Sequence, residues 1–346
     1  MVLYYRYLHY SWLSITWLVV LIKEDSCINC RLGLKKLKNL TLEDVYMITV
    51  FTSTYNRANT ISRVFNSLMN QTYRDFEWII VDDGSIDNTR EIIEDFKKKS
   101  FFKIRYFYQK NAGKHIAINT GIIEARGEYF TNIDSDDEIK SESFEVLIDY
   151  WSKIPDNEKN NFKSVTARCY DPETKKGIGY EIPKEGWDLS SLDARFKHKM
   201  KFDRWGLSRT KVMKEFLNPE IERVHFYPES IIQDNMARKY KERYVNEQLL
   251  GYYKDQENSI IKSKKRSKEN LIYWTHNLNN NLDYFIYDVA EFCKYAVGVT
   301  RDGLLEKKHF NKLVRLCHTF LGRCLVIIFS PIGFILYLKS KDVYNS

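Results

Sequence analysis

From Met47 onward the chain alternates two periodicities, and this alternation most narrows the folds open to it. Residues 48–54 form a β-branched run, after which Ile61, Val64, Phe65, Leu68 and Met69 recur at helical spacing behind Thr60, a candidate N-cap. Residues 76–81 read as the next strand, and Asp82-Asp83-Gly84-Ser85 turns through Asp87-Asn88-Thr89 into a helix with Ile92, Ile93 and Phe96 on one face. Residues 104–108 predict a third strand, 115–125 a helix and 129–133 a fourth strand. Consecutive βα units make a parallel sheet with right-handed crossovers, and such sheets bind ligands beyond the carboxyl ends of their strands.

That rule gives meaning to four polar stretches. Thr54-Tyr55-Asn56-Arg57, Asp82-Asp83-Gly84-Ser85, Asn111-Ala112-Gly113-Lys114 and Asp134-Ser135-Asp136-Asp137 each follow a predicted strand, so they are expected on one edge of the sheet. The three carboxylates of the last stretch repel one another, and their ionised form needs a cation or hydrogen-bond donors. A divalent metal carrying a phosphate meets that need; a solvated acidic turn before a helix starting near Ser141 is the plainer alternative. A nucleotide suits the crevice, with Asp83 accepting from a base imide, Arg57 and Lys114 meeting phosphates and the acidic cluster holding a metal. The chain has neither GxGxxG nor GxxxxGK[ST], so the dinucleotide-fingerprint and P-loop readings have no support.

Thr49-Val50-Phe51-Thr52-Ser53-Thr54-Tyr55-Asn56-Arg57, Val81-Asp82-Asp83-Gly84-Ser85 and Asp134-Ser135-Asp136-Asp137, in this order, resemble the family 2 glycosyltransferases of bacterial surface-polysaccharide type. The resemblance is strong over residues 47–150 and weak to 254. It implies an α/β protein of the GT-A, or nucleotide-diphospho-sugar transferase, fold over residues 47–254. It also implies a nucleotide-sugar donor, most often a UDP-sugar, a Mn²⁺ or Mg²⁺ ion, and a glycan or lipid-linked acceptor, with no nucleic-acid partner. Tyr55, Arg57 and Asp83 match the nucleotide-binding loops, and Thr54, Lys114 and Asp134 are placed with them in the donor-binding set. Asp134 and Asp136 match the DXD motif, with Asp136 as the direct metal ligand. Asn119 joins the donor set because asparagine is unfavourable in mid-helix, which suggests a role facing the crevice.

Sugar transfer with inversion asks for one more carboxylate, a general base that takes the proton of the acceptor hydroxyl. Tyr227-Pro228-Glu229-Ser230-Ile231-Ile232-Gln233-Asp234 offers two. Ser230 is expected to cap a helix reaching about Lys241, which leaves Glu229 in the loop facing the crevice. Asp234 lies a turn inside, four residues before Arg238, where a surface ion pair would also account for it. Glu229 is the preferred base and Asp234 the second candidate. The family often shows Glu-Asp here, and Pro228-Glu229-Ser230 departs from that pair. It resembles a bacterial subgroup with Gly-Lys-His in the earlier loop, which here reads Gly113-Lys114-His115.

Other polar and aromatic residues carry plainer readings. His115 is expected at a helix start, partly exposed. Lys201-Phe202-Asp203-Arg204-Trp205-Gly206 is either an acceptor platform, since sugars stack on aromatic faces, or the surroundings of a core tryptophan.

The two ends differ from this middle. Residues 12–22 are apolar and aromatic, with Arg6 before them and Arg31, Lys35, Lys36 and Lys38 after; a spanning helix needs about 20 apolar residues. Residues 1–46 are therefore read as an N-terminal extension, either a signal anchor or sequence preceding a true start at Met47. The C-terminal part, 255–346, carries Lys262, Lys264, Lys265, Arg266 and Lys268, an aromatic stretch at 271–299 expected to be helical, and an apolar run at 325–338 interrupted by Pro331 and Gly333. This run of about 14 residues is short for a span. A buried helix pair, a re-entrant segment and an interfacial anchor are all open to it, and with the lysines peripheral attachment to an anionic membrane surface on the cytoplasmic side is favoured. The six cysteines, with one CxxC at Cys27 and Cys30, complete no zinc site and are read as free thiols in a reducing compartment. Two other classes compete. A metal-dependent nucleotidyltransferase would carry a glycine-rich basic loop where Thr52-Ser53-Thr54-Tyr55 stands; a non-catalytic carbohydrate-binding protein is the other.

Overall fold

The computed structural model describes residues 46–183, 186–200, 204–221, 224, 226–253 and 266–345. The N-terminal extension up to residue 45, the CxxC pair, residues 201–203 and the lysines from 262 to 265 lie outside them.

The predicted βα units are present. β1 (Tyr46–Thr54), β2 (Phe76–Asp82), β3 (Lys103–Tyr108) and β4 (Gly127–Asn132) are separated by α1 (Ser62–Met69), α2 (Thr89–Lys99) and α3 (Lys114–Glu124). β1 and β2 alternate their side chains between two buried layers, as the period of two requires. Ile48, Val50, Trp78 and Ile80 join the large core with Val64, Leu68 and Phe96. Phe51, Ile79 and Val81 face the other way, onto Ala117, Ile118 and Ile122 of α3. Gly121 permits the close approach of α3, since a Cβ there would lie 2.2 Å from the Phe51 ring.

One expected cap is absent. Thr60 does not cap α1: residues 57–61 form a turn in which the Thr60 and Ile61 N–H groups both donate to Arg57 O. The turn satisfies the backbone by itself, so the Thr60 hydroxyl is left buried without a hydrogen bond.

The chain continues through β5 (Glu138–Ile139), α4 (Ser143–Ser152), β6 (Phe162–Tyr170), β7 (Trp187–Leu189), α5 (Ser191–Phe196), β8 (Arg204–Arg209), α6 (Thr210–Glu215), α7 (Glu229–Ala237) and β9 (Lys241–Gly251). The described strands form one nine-stranded sheet of order β3-β2-β1-β4-β8-β6-β9-β5, with β7 beside β9. β3, β2, β1 and β4 are parallel neighbours, and Thr54 pairs with Asp82 as Asp82 pairs with Tyr108. The loops after these strands therefore leave the sheet on one edge. β8 runs antiparallel to both β4 and β6, while β6 and β9 are parallel. Trp205 of β8 is a core tryptophan, 6% exposed with its Nε1–H donating to Asn132 O at 2.9 Å, and offers no platform for a sugar.

Beyond the sheet lie α8 (Ser267–Asn280), a 3₁₀ segment (Leu282–Tyr287), α9 (Val289–Leu305), α10 (Phe310–Leu316) and α11 (Phe320–Asn345). The helical stretch expected at 271–299 is thus broken in its middle. These helices share a core that also takes in Leu192 and Phe196 of α5 and Ala237 of α7. The apolar run at 325–338 sits inside the 26-residue α11, so the helix outlasts the run; its segment Phe320–Lys341 is long and apolar enough to cross a membrane. Among the described residues Cys169, Cys293, Cys317 and Cys324 are free thiols.

Candidate active site

The edge beyond β1–β4 is built loop by loop. Asn56 adopts φ 52°, a left-handed conformation that asparagine tolerates. Its N–H donates to Ser85 Oγ (2.9 Å), and its Oδ1 accepts from Ile86 N (2.9 Å). The first loop is thereby stitched to the second, with Tyr55 left 48% exposed on the outside. Thr54 ends β1 and is buried; its carbonyl accepts from Asp83 N, while its hydroxyl makes no hydrogen bond.

Asp83 is 5% exposed, and its carboxylate accepts from Gln109 Nε2 (2.8 Å), Ala112 N (2.8 Å) and Gly113 N (2.9 Å). Its acceptor capacity is therefore largely used within the protein, holding the loop that carries Lys114. Gly84 needs to be glycine, since its φ is +91° and a Cβ would lie 3.0 Å from Asn111 N.

Lys114, the first residue of α3, turns into the crevice. Its ammonium lies 2.9 Å from Asp134 Oδ1 and 3.3 Å from Glu229 Oε1. Glu229 itself lies in the first turn of α7 and not in a preceding loop. Pro228 occupies the N-cap position with extended ψ of 113°, and the helix ends at Ala237 instead of Lys241; Ser230 is inside the first turn and caps nothing.

Asp134, Asp136 and Asp137 each offer a carboxylate oxygen, and these oxygens lie within 4.8 Å of one another. The loop is braced from behind: Arg63 donates to Asp136 O at 3.0 Å while lying 4.0 Å over the Tyr253 ring, and Tyr253 N donates to Asp137 Oδ1 at 3.2 Å. Burial opposes ionisation of Asp134, but the charge and hydrogen bonds of Lys114 outweigh it and hold this carboxyl below its ordinary range. Burial, with Asp134 beside it, raises Asp136; Arg57 partly offsets this. Burial followed by repulsion from Asp134 and Asp136 pushes Asp137 to about 8. Lys114 and Arg57 offset only part of the charge these three carboxyls can carry, and the cluster is a set of hard oxygen donors. That chemistry fits Mg²⁺ or Mn²⁺.

The raised carboxyl dictates a pH dependence. Asp137 stands at about 8 in the fold and 3.8 unfolded, so between these values the folded state keeps a proton that the unfolded state has released. Stability of the metal-free protein is expected to fall as pH rises through this window and to level off above it. Melting curves across pH should show this slope, Asp137→Asn should flatten it, and Mn²⁺ should oppose it at the alkaline end. A metal-free melting temperature that rises from acid to alkaline pH would contradict the assignment.

The other predicted residues divide. Arg57 lies close enough to act electrostatically on both Asp134 and Asp136. Asn119 does not face the crevice: its amide exchanges hydrogen bonds with the backbone of Asn218, at 2.8 Å in each direction, and braces the segment after α6. His115 is buried, 2% exposed beneath Tyr227, because α3 packs that face inward. Asp234 forms no surface pair with Arg238. It is 3% exposed, with Arg195 Nη2 at 2.9 Å, Asn281 Nδ2 at 2.8 Å and His276 Nε2 at 3.4 Å. Arg238 pairs with Asp283 instead. Asp234 thus ties α7 to α5 and α8, apart from the Lys114 cluster. Arg63, Gln109 and Tyr253 were not anticipated. Arg63 had a local signal, as a cation on the polar side of α1; Tyr253 had none, since it reaches the cluster only through the pairing of β9 with β5.

Comparison with known proteins bears on the family and the fold. Residues 49–171 match the family profile described as Glycosyl transferase family 2. An uncharacterized glycosyltransferase of Nostoc sp. is 38% identical over 102 residues, 30% of this chain and 32% of the relative. A cholesterol galactosyltransferase of Borreliella burgdorferi is 38% identical over 109 residues, 31% of this chain and 30% of the relative. The match thus spans about a third of these relatives' length. Among solved structures, S. aureus TarS 1–349 superposes with a TM-score of 0.59 at 18% identity, covering 86% of this chain and 91% of that one. Residues 49–171 are thus similar to glycosyl transferase family 2, and they lie within a sheet of the GT-A type.

Proposed function

We propose that this protein transfers a sugar from a nucleoside-diphosphate sugar, a UDP-sugar foremost, to a hydroxyl of a glycan or lipid-linked acceptor, with inversion, at the cytoplasmic face of a membrane. The carrying observation is the meeting of Asp134, Asp136 and Asp137 with Lys114 and Glu229 beyond the parallel strands. The UDP-GlcNAc complex of TarS supports a uridine donor for this fold.

Each residue then has a task. Asp134 and Asp136, backed by Asp137, would hold Mn²⁺ or Mg²⁺, which when bound offsets the charge gathering on the departing diphosphate. Lys114 lies between the metal-binding carboxylates and Glu229, where its ammonium can meet phosphate oxygens. Arg57 adds positive charge on the same side, and Tyr55 offers an exposed ring at the mouth. Glu229, at the start of α7, accepts the proton of the attacking hydroxyl.

The deciding experiment is a thermal-shift screen of nucleotide sugars with Mn²⁺ and with EDTA. A ligand at 100 times its dissociation constant stabilises the folded state by about 2.7 kcal/mol. One nucleotide sugar is expected to raise the melting temperature in Mn²⁺ only. Stabilisation by a nucleoside triphosphate with pyrophosphate release would favour nucleotidyl transfer instead. A shift by free sugars alone would favour carbohydrate binding.

A further inference from the structure

We infer that α10 and α11 form a docking surface for anionic lipid, with α11 lying in the plane of the bilayer interface and not across it. This rests on the membrane-facing part of the function proposed above and names the surface involved.

α11 exposes a stripe of large apolar side chains. Ile327 and Phe334 are 52% and 49% exposed, and Ile328 and Ile335, at 65% and 53%, repeat the same spacing of seven residues. Such spacing keeps them on one side of a helix. Between Arg323 and Lys339 the helix carries no charged residue. Its opposite side is already covered: Leu325 and Val326 are buried in the helical core, and Gly333 sits so close to α9 that a Cβ would lie 2.6 Å from Thr300 Cβ.

This packing argues against a span. A crossing helix would draw its neighbour into hydrocarbon, and α9 carries the Arg301–Asp302 pair, whose carboxylate also accepts from Trp274 Nε1 at 2.7 Å. Charged groups at that depth are costly. A helix apolar on its outer side and fixed to a polar body on the other lies along the interface.

Charge selects the occupant. Residues 307–341 contain seven Lys and Arg and no Asp or Glu, whereas the whole chain has 54 basic and 46 acidic residues. Lys312 and Arg315 on α10 and Arg323 and Lys339 on α11 are exposed. A second copy would bring like charges together, while an anionic leaflet complements them.

Full-length protein is sedimented with vesicles of phosphatidylcholine alone and of phosphatidylcholine with phosphatidylglycerol, at low and high salt. It is expected to pellet with the anionic vesicles and to be released by salt, because exposed charges are screened. Ile328→Ser with Ile335→Ser, and separately Lys312→Glu with Arg315→Glu, are each expected to weaken binding by about tenfold or more. All four side chains sit at the surface, and hydrolysis of a donor in solution should stay at the wild-type rate.

Three results would overturn the surface. Variants that pellet like the wild type would place the attachment elsewhere. Pellets resistant to alkaline carbonate would mean a span. Loss of self-association by the variants, with no vesicle binding by either form, would mean a second copy covers the stripe. Donor hydrolysis without vesicle binding defeats the surface alone; vesicle binding without hydrolysis of any donor defeats the glycosyl-transfer reading alone.

Discussion

Asp136→Ala is expected to lower Mn²⁺-dependent splitting of the donor by about 10³-fold, near the upper end of what losing one group that stabilises a leaving charge costs. Lys114 pairs with Asp134 and not with Asp136, so the Asp136 carboxylate is the more available to a cation. The same substitution should stabilise the metal-free protein, because Asp136 is one of the charges that push Asp137 to about 8. Two measurements therefore move in opposite directions: turnover falls while the metal-free melting temperature rises at alkaline pH. Substantial Mn²⁺-dependent turnover in the variant would remove the metal role from Asp136. A large loss of stability would show that the acidic loop is held together by this residue and is no ligand set.

Asp234→Ala is expected to cost about 3–5 kcal/mol of folding stability, the usual result of removing one partner of a buried pair. The loss takes the carboxylate partner from Arg195 and one of two acceptors from Asn281, leaving both donors on Asn277 Oδ1. Urea unfolding should show a lower midpoint with an unchanged slope. Turnover per folded molecule should stay near normal in Asp234→Asn, since an amide keeps the shape and part of the hydrogen bonding. The opposite pattern, full stability with lost turnover, would restore Asp234 as the proton acceptor and displace Glu229.

The contrast between these residues shows what could be read from the chain. β1 to β4 were legible because each βα unit is local: its strand, helix and polar turn follow one another, and the turns share an edge by topology alone. Asp234 was not, because its partners lie 39 residues before it and 47 after it, and no spacing connects such positions. The start of α7 was misjudged for a local reason, since a proline in the N-cap position took the place given to Ser230. Beyond β4 the strands interleave distant segments, β8 between β4 and β6 and β6 between β8 and β9, so hydrophobic runs gave no order. α11 looked uniformly apolar in the sequence. Only its packing on α9 separates a covered side from an exposed one.

The Asp83 carboxylate grips the backbone of Ala112 and Gly113 as well as the Gln109 side chain. The turn after β2 and the turn before α3 are therefore one mechanical part. An engineer who wishes to change the donor by exchanging loops with another enzyme would have to transplant residues 82–85 and 109–114 as a pair. Exchanging either alone would leave a carboxylate without its donors, or the donors without their carboxylate, and Lys114 would lose its aim at Asp134 and Glu229.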